Sequence, residues 1–182
     1  IQIGDAGFNQ IGFNEFGASE KSRTRTVLLP YASRKRQARN FAGNVDETPD
    51  KAIAMGVKGV QEQPYDARAH INLAEAYERG GKDSLARTTL ETALQIDSTD
   101  IETLNALSVY YERRGDIRRM LDYEERVLLN SNLPIAEKLR RIGIFTSNRA
   151  FYTQNYIRIG SIIQRLTISY PNNRDVVDCY AE

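Results

Sequence analysis

The sequence predicts an all-α chain: an α-solenoid of helix–turn–helix repeats carried behind an irregular N-terminal arm. Three observations predict it. A 34-residue pattern runs twice without a gap between Asp66 and Asn132, with Leu73-Ala74-x-x-Tyr77-Glu78-Arg79-x-Gly81 answered by Leu107-Ser108-x-x-Tyr111-Glu112-Arg113-x-Gly115. Within each copy the apolar residues recur at helical spacing, as Ile71, Ala74, Tyr77 and then Leu104, Leu107, Tyr111. Helix terminators keep the same period, with Pro64, Ser98 and Asn132 each 34 residues apart.

A length of 182 residues suits one compact domain or one short repeat array. Charged residues make up 27% and hydrophobic ones 41%, which places the chain among folded globular proteins. No run of 18 apolar residues marks a membrane span. Cys179 is the sole cysteine, so a disulfide framework and a cysteine zinc site are both excluded, and neither a reducing nor an oxidising compartment is favoured. His70 is the sole histidine, which leaves little for a histidine metal site or a nucleophile–base pair. No metal, cofactor or catalytic set is expected. The chain begins at Ile1 rather than Met, as an excised or processed fragment would.

Residues 1–44 read as the arm. Gly4, Gly7, Gly12 and Gly17 are interspersed with Phe8, Phe13 and Phe16, and glycine at this density favours turns and extended segments over helix. An aromatic docking peptide is the functional reading and a poorly ordered terminus the plain one. No phosphate-loop pattern is present. Lys21, Arg23, Arg25, Arg34, Lys35, Arg36 and Arg39 follow with no acid between Lys21 and Val45, a local charge of +7 in a chain of net charge +1. Such an arm can meet an anionic surface or phosphate backbone, or pack on the acidic body. Base readout of nucleic acid is not supported, since Tyr31 and Phe41 are the only aromatic residues here.

From residue 45 the chain reads as the array. Residues 45–66 form a degenerate half repeat, with Thr48 as N-cap, Pro49 at the first helical position and Pro64 as terminator. Gly56 and Gly59 weaken this helix and permit a close neighbour. Residues 67–100 are the first full repeat: one helix ends at Gly80-Gly81, and the next carries Leu85, Ala86, Thr89, Leu90, Ala93 and Leu94 inward. Residues 101–134 are the second, capped by Asp100, with Met120 where the first has Ala86, which predicts a splayed helix pair. Residues 135–173 are an enlarged third, in which Leu139, Ile142 and Gly143 repeat the spacing of Leu104, Leu107 and Ser108 and the five-residue excess is expected around Thr146 to Phe151. Residues 174–182 begin a further helix, and the array is expected to continue past Glu182 because solenoids need capped ends.

Leu73-Ala74-x-x-Tyr77, Gly81, Ala86, Leu90, Ala93 and Leu107-Ser108-x-x-Tyr111, Gly115 resemble the tetratricopeptide repeat. The resemblance covers about Thr48 to Glu182. The chain departs from that pattern at Ser98 and Asn132, where proline is usual, and at Met120. The resemblance implies a right-handed superhelix whose first helices line a groove for a peptide or helix of a partner protein, or for self-association. It places Arg68, Ile71, Asn72, Glu75 and Arg79 of the first repeat there, with Glu102, Asn105, Val109, Glu112 and Arg113 of the second and Glu137, Arg140 and Arg141 of the third. Their mixed charges, amides and two aliphatic contacts suit a polar peptide. A carboxylate clamp is disfavoured, because Ile71 stands where the resemblance expects Lys.

Other constellations have plain readings. His70 suits a packed position between helices. Asp122, Glu124 and Glu125 form an acidic patch without calcium-loop spacing. Arg113-Arg114 and Arg118-Arg119 make a basic turn that can meet a phosphate or simply be solvated.

Overall fold

The structure, a computed structural model, describes residues 48–181, with side chains through Asp178. The Gly/Phe-rich start, the basic arm 21–39 and the Cys179 side chain lie outside the described residues. Among the described residues there are eight helices and no strand: α1 (Pro49–Glu62), α2 (Ala67–Arg79), α3 (Asp83–Ile96), α4 (Ile101–Arg113), α5 (Ile117–Leu129), α6 (Ile135–Ser147), α7 (Arg149–Ser169) and α8 (Arg174–Ala181). None of them is long and apolar enough to cross a membrane.

Local chemistry starts and stops these helices. Asp66 accepts from the Arg68 amide at 2.9 Å, Asp100 from the Thr103 amide at 2.7 Å, Asp116 from the Arg119 amide at 3.0 Å and Asn148 from the Phe151 amide at 3.1 Å. Each satisfies a backbone donor that the first helical turn leaves unpaired. Thr48 makes no such side-chain bond; its carbonyl takes the Lys51 and Ala52 amides, and Pro49, lacking an N–H, occupies the first position. The repeated glycines have a conformational role. Gly81 and Gly115 sit at φ 69° and 72°. Each donates to the carbonyl three residues back, and the next residue donates to the carbonyl five back (Lys82 to Tyr77 at 2.8 Å, Asp116 to Tyr111 at 3.0 Å). That is the Schellman helix end, which requires the left-handed backbone glycine adopts without penalty.

The helices pack as an array. α2 lies against α3 and α4 against α5, with α2–α4 and α3–α4 contacts joining the two pairs, and α1 packs on α2. One apolar core runs from Ala74 in α2 to Val176 in α8 through Ala86, Leu107, Met120, Phe145 and Ile162. Met120 is fully buried, and α4 and α5 stay closely packed rather than splayed. Of the residues expected inward on α3, Leu85 is exposed.

The third pair departs from expectation in two ways. Its excess lies in the second helix: α6 has 13 residues, as α4 does, while α7 has 21 against 13 for α5. No glycine is present to form a Schellman turn, so the chain reverses at Asn148 alone and α7 begins early. Asn155 then breaks the helical backbone at φ −124° and ψ 16°, its amide donating to the Phe151 carbonyl at 2.9 Å. The register also differs. α6 begins 34 residues after α4, so Lys138 and Arg141 occupy the places of Leu104 and Leu107, not Leu139 and Ile142. Lys138, Arg141 and Ile142 are buried and Leu139 is half-buried.

The close approach predicted for α1 occurs at one glycine only. A Cβ on Gly56 would meet Leu73 Cα and Cδ1 at 3.0 Å, whereas one on Gly59 meets nothing within 4 Å. Gly56→Ala is therefore expected to destabilise the fold by about 1–3 kcal/mol through overpacking. Gly59→Ala should instead stabilise it by about 0.5–1 kcal/mol through helix propensity. Opposite shifts of the urea midpoint would show this; shifts of the same sign would contradict it.

Candidate partner-binding surface

The first helices α2 and α4 lie side by side and are bonded across the repeat boundary. Arg68 of α2 donates one guanidinium nitrogen to both carboxylate oxygens of Glu102 on α4, at 2.9 and 2.7 Å. The hydrogen bond to Glu102 raises the already high pKa of Arg68. At the other end of the two helices, Arg113 reaches back to Glu78 at 2.9 Å. Arg114 meets Glu78 at 3.1 Å and also Asp83, with its guanidinium 3.5 Å from the centre of the Tyr110 ring. Tyr110 Oη in turn donates to the Asp83 carbonyl at 3.1 Å. Burial raises the Tyr110 pKa, so the phenol keeps its proton. The basic turn 113–119 is thus partly consumed in tying one repeat to the next.

α6 joins the row through a buried network. Arg141, 4% exposed, donates to Glu124 of α5 at 2.9 Å, to Asn105 of α4 at 2.8 Å and to Glu137 at 3.2 Å. Ser108 of α4 donates to the other oxygen of Glu124 at 2.8 Å. Burial opposes the charge on Arg141, but the Glu124 and Glu137 carboxylates outweigh it and its pKa is raised. Burial likewise pushes the Glu137 carboxyl up, and hydrogen bonds from Arg140 and Arg141 reverse this and hold it below the ordinary carboxylate value.

The structure distributes the sequence-predicted residues unevenly. Arg68, Arg79, Arg113 and Arg140 are exposed along the first helices, with Asn72, Glu75, Glu102, Asn105, Glu112 and Glu137 half-buried among them. Ile71 is half-buried against the core, and Val109 is 8% exposed within it, so the two expected aliphatic contacts turn inward. Arg141 is a buried tie rather than a surface residue. Its placement on the groove followed from the one-residue register error in the third repeat. The acidic patch Asp122, Glu124 and Glu125 is also not a surface patch. Glu124 and Glu125 are buried, Glu124 held by Arg141 and Glu125 by Arg158 and Arg165 of α7, while Asp122 takes a bond from Arg158 at 2.7 Å. His70 is buried with Nδ1 3.0 Å from the Asp66 carbonyl, which makes Nδ1 the protonated nitrogen, since a carbonyl only accepts. Lys138 escaped sequence reasoning altogether. It is fully buried, with Nζ donating to the Asn130 carbonyl at 2.7 Å and to Tyr170 Oη at 2.8 Å. The signal was present: Lys138 stands 34 residues after Leu104 and 68 after His70.

Fold and surface together define an all-α helical-repeat protein whose first helices present a polar row. No protein-family model matches the chain. It is similar in part to glucosamine-6-phosphate deaminase 1 of Bacillus subtilis (strain 168), 44% identical over 61 residues, which is 33% of this chain and 25% of that enzyme. It is also similar to glucosamine-6-phosphate deaminase of Oceanobacillus iheyensis, 43% identical over 61 residues, 33% of this chain and 24% of that enzyme. The chain thus spans about a quarter of the length of the curated relatives it matches.

Two predictions concern the network. Arg141→Met leaves the Glu124 carboxylate buried without its cation, and should cost about 3–5 kcal/mol in urea unfolding. Adding Glu124→Gln should recover most of that loss; a double variant no better than the single one would contradict the pairing. The lowered pKa of Glu137 means that its contribution to stability is present above the unfolded value of 4.5 and is lost as the pH falls below it. Glu137→Gln should therefore lower stability near neutrality and flatten the acid limb of stability against pH, with little change well below pH 4.5.

Proposed function

We propose that this chain is a non-enzymatic, tetratricopeptide-like scaffold that holds a segment of a partner protein along the first helices α2, α4 and α6. The observation that carries the reading is the cross-repeat bonding of that row. Arg68–Glu102, Arg113–Glu78 and Arg141–Asn105 each link one first helix to a neighbouring repeat. A row fixed in this way holds Asn72, Arg79 and Arg140 in set positions, so an extended or helical segment meets preorganised polar groups and orders little of the scaffold on binding. With Ile71 and Val109 turned inward, the segment is held by polar contacts and hence sensitively to salt. The test uses the whole chain as bait, comparing Asn72→Ala/Arg79→Ala/Arg140→Ala with Lys58→Ala on α1. The triple variant should lose partners that the control retains; equal retention would sink the proposal.

The similarity to the deaminases favours a second reading, in which the repeats accompany a segment of a unit acting on a sugar phosphate. Ammonia release from glucosamine 6-phosphate by the isolated chain is the direct test. Turnover would establish this reading, and its absence together with an absence of glucosamine 6-phosphate binding would remove it.

A further inference from the structure

A cleft of about 390 Å³ opens between α3 and α5, the second helices of the first two pairs, with Tyr111 of α4 in its lining. It is separate from the first-helix row. Arg87 and Glu91 line it from α3, and Arg119, Asp122, Tyr123 and Arg126 from α5. The α5 residues fall at helical spacing, so Arg119, Tyr123 and Arg126 share one face across two turns.

The cations here are weakly engaged compared with those that tie one helix to another. Arg87 is 4.0 Å from Glu91, and Arg119 is 3.5 Å from Asp116. Arg126 has no carboxylate partner among the described residues and donates to the Ser98 carbonyl at 2.6 Å. By contrast, Arg68, Arg113, Arg141 and Arg158 each have a carboxylate within 3 Å. Of the two acids in the lining, Asp122 is bonded to Arg158 at 2.7 Å and Glu91 is paired with Arg87 at 4.0 Å. The rings of Tyr111 and Tyr123 are stacked, 5.6 Å apart and 7° from parallel, and the guanidiniums of Arg119 and Arg126 lie 5.3 and 5.8 Å from the Tyr111 and Tyr123 ring centres. Three planar cations beside a flat aromatic wall form a receptor for a group with several oxyanion acceptors and an apolar body.

We propose that this cleft binds a phosphate monoester, its oxygens shared among Arg87, Arg119 and Arg126 and its organic group laid against Tyr123. A dianion with three acceptor oxygens uses all three guanidiniums, where a single carboxylate saturates one. Binding draws Arg87 from Glu91, a pair already at the limit of contact. Burial raises the Tyr123 pKa, so its hydroxyl stays protonated and can donate to the ester. This site also gives a use to Arg119, which the repeat-to-repeat ties of Arg113 and Arg114 leave over together with Arg118.

The probe is phenyl phosphate, titrated into the isotopically labelled chain while the arginine Nε–H resonances are followed by NMR. Saturable shifts at Arg87, Arg119 and Arg126 are expected, with benzoate binding about tenfold more weakly. Arg119→Ala/Arg126→Ala, changed at solvent-facing positions, should weaken phenyl phosphate binding by about tenfold or more, while Lys58→Ala leaves it unchanged. A peptide carrying phosphotyrosine that binds more tightly than phenyl phosphate assigns the ester to a protein, and equal affinity assigns it to a small molecule. Absence of saturable shifts, equal binding of benzoate, or unchanged affinity in the double arginine variant would overturn the proposal.

Discussion

Two adjacent glutamates on α5 hold the irregular end of this array to its regular middle. Glu124 and Glu125 are both buried and point to different neighbours: Glu124 meets Ser108 of α4 and Arg141 of α6, and Glu125 meets Arg158 and Arg165 of α7. A carboxylate removed from water is costly, and the attraction of a nearby guanidinium offsets that cost only when the remaining lone pairs are also filled. Here each of the four carboxylate oxygens accepts a hydrogen bond. No buried side-chain nitrogen or oxygen among the described residues lacks a partner. Apolar contact alone accepts many slides of one helix over another, whereas these bonds are satisfied in one arrangement. The third helix pair is therefore positioned by direction-specific polar contacts laid over a continuous apolar core.

This explains how an enlarged repeat joins a regular one. α7 is longer than its counterpart α5 and reaches it directly, so the contact between second helices replaces part of the contact that pairs α2 with α3 and α4 with α5. Asn148 and Asn155 make the change in length possible. The first lets the chain reverse in one residue, and the second interrupts the helix so that Ile159, Ile162, Ile163 and Leu166 meet the core. Stability in arrays of this kind is the sum of units and their nearest-neighbour interfaces. The α5 glutamates concentrate much of one interface in a few bonds.

The regular part of the fold was legible in the sequence because backbone requirements repeat there. Gly81 and Gly115 mark Schellman helix ends, and Asp66, Asp100 and Asp116 mark helix starts, and each acts within one turn of itself. The register of the third repeat was not legible. Lys138 and Arg141 take positions that the pattern reserves for leucine, so matching apolar to apolar shifted the alignment by one residue onto Leu139 and Ile142. The same misreading moved Arg141 onto the groove, and Glu124 and Glu125 were read as surface charge for a separate reason. Whether a carboxylate is buried depends on a guanidinium that arrives from another helix, 17 residues away for Glu124 and 33 for Glu125. Spacing along one helix carries no trace of that. The cleft between α3 and α5 was hidden for the same reason, since Arg87 and Arg119 become neighbours only when two repeats stack.

Lys138 has a consequence for any chemistry that reads lysines through their amines. Lys51, Lys58 and Lys82 are exposed, whereas the Lys138 amine is enclosed by the Asn130 carbonyl and the Tyr170 hydroxyl and ring. Acylating reagents, cross-linkers and modifying enzymes alike reach the first three in the folded chain and reach Lys138 only after α6 separates from the α7–α8 turn. With a reagent fast enough to outpace reclosing, the rate at which Lys138 is labelled is thus a clock for opening at that end of the array.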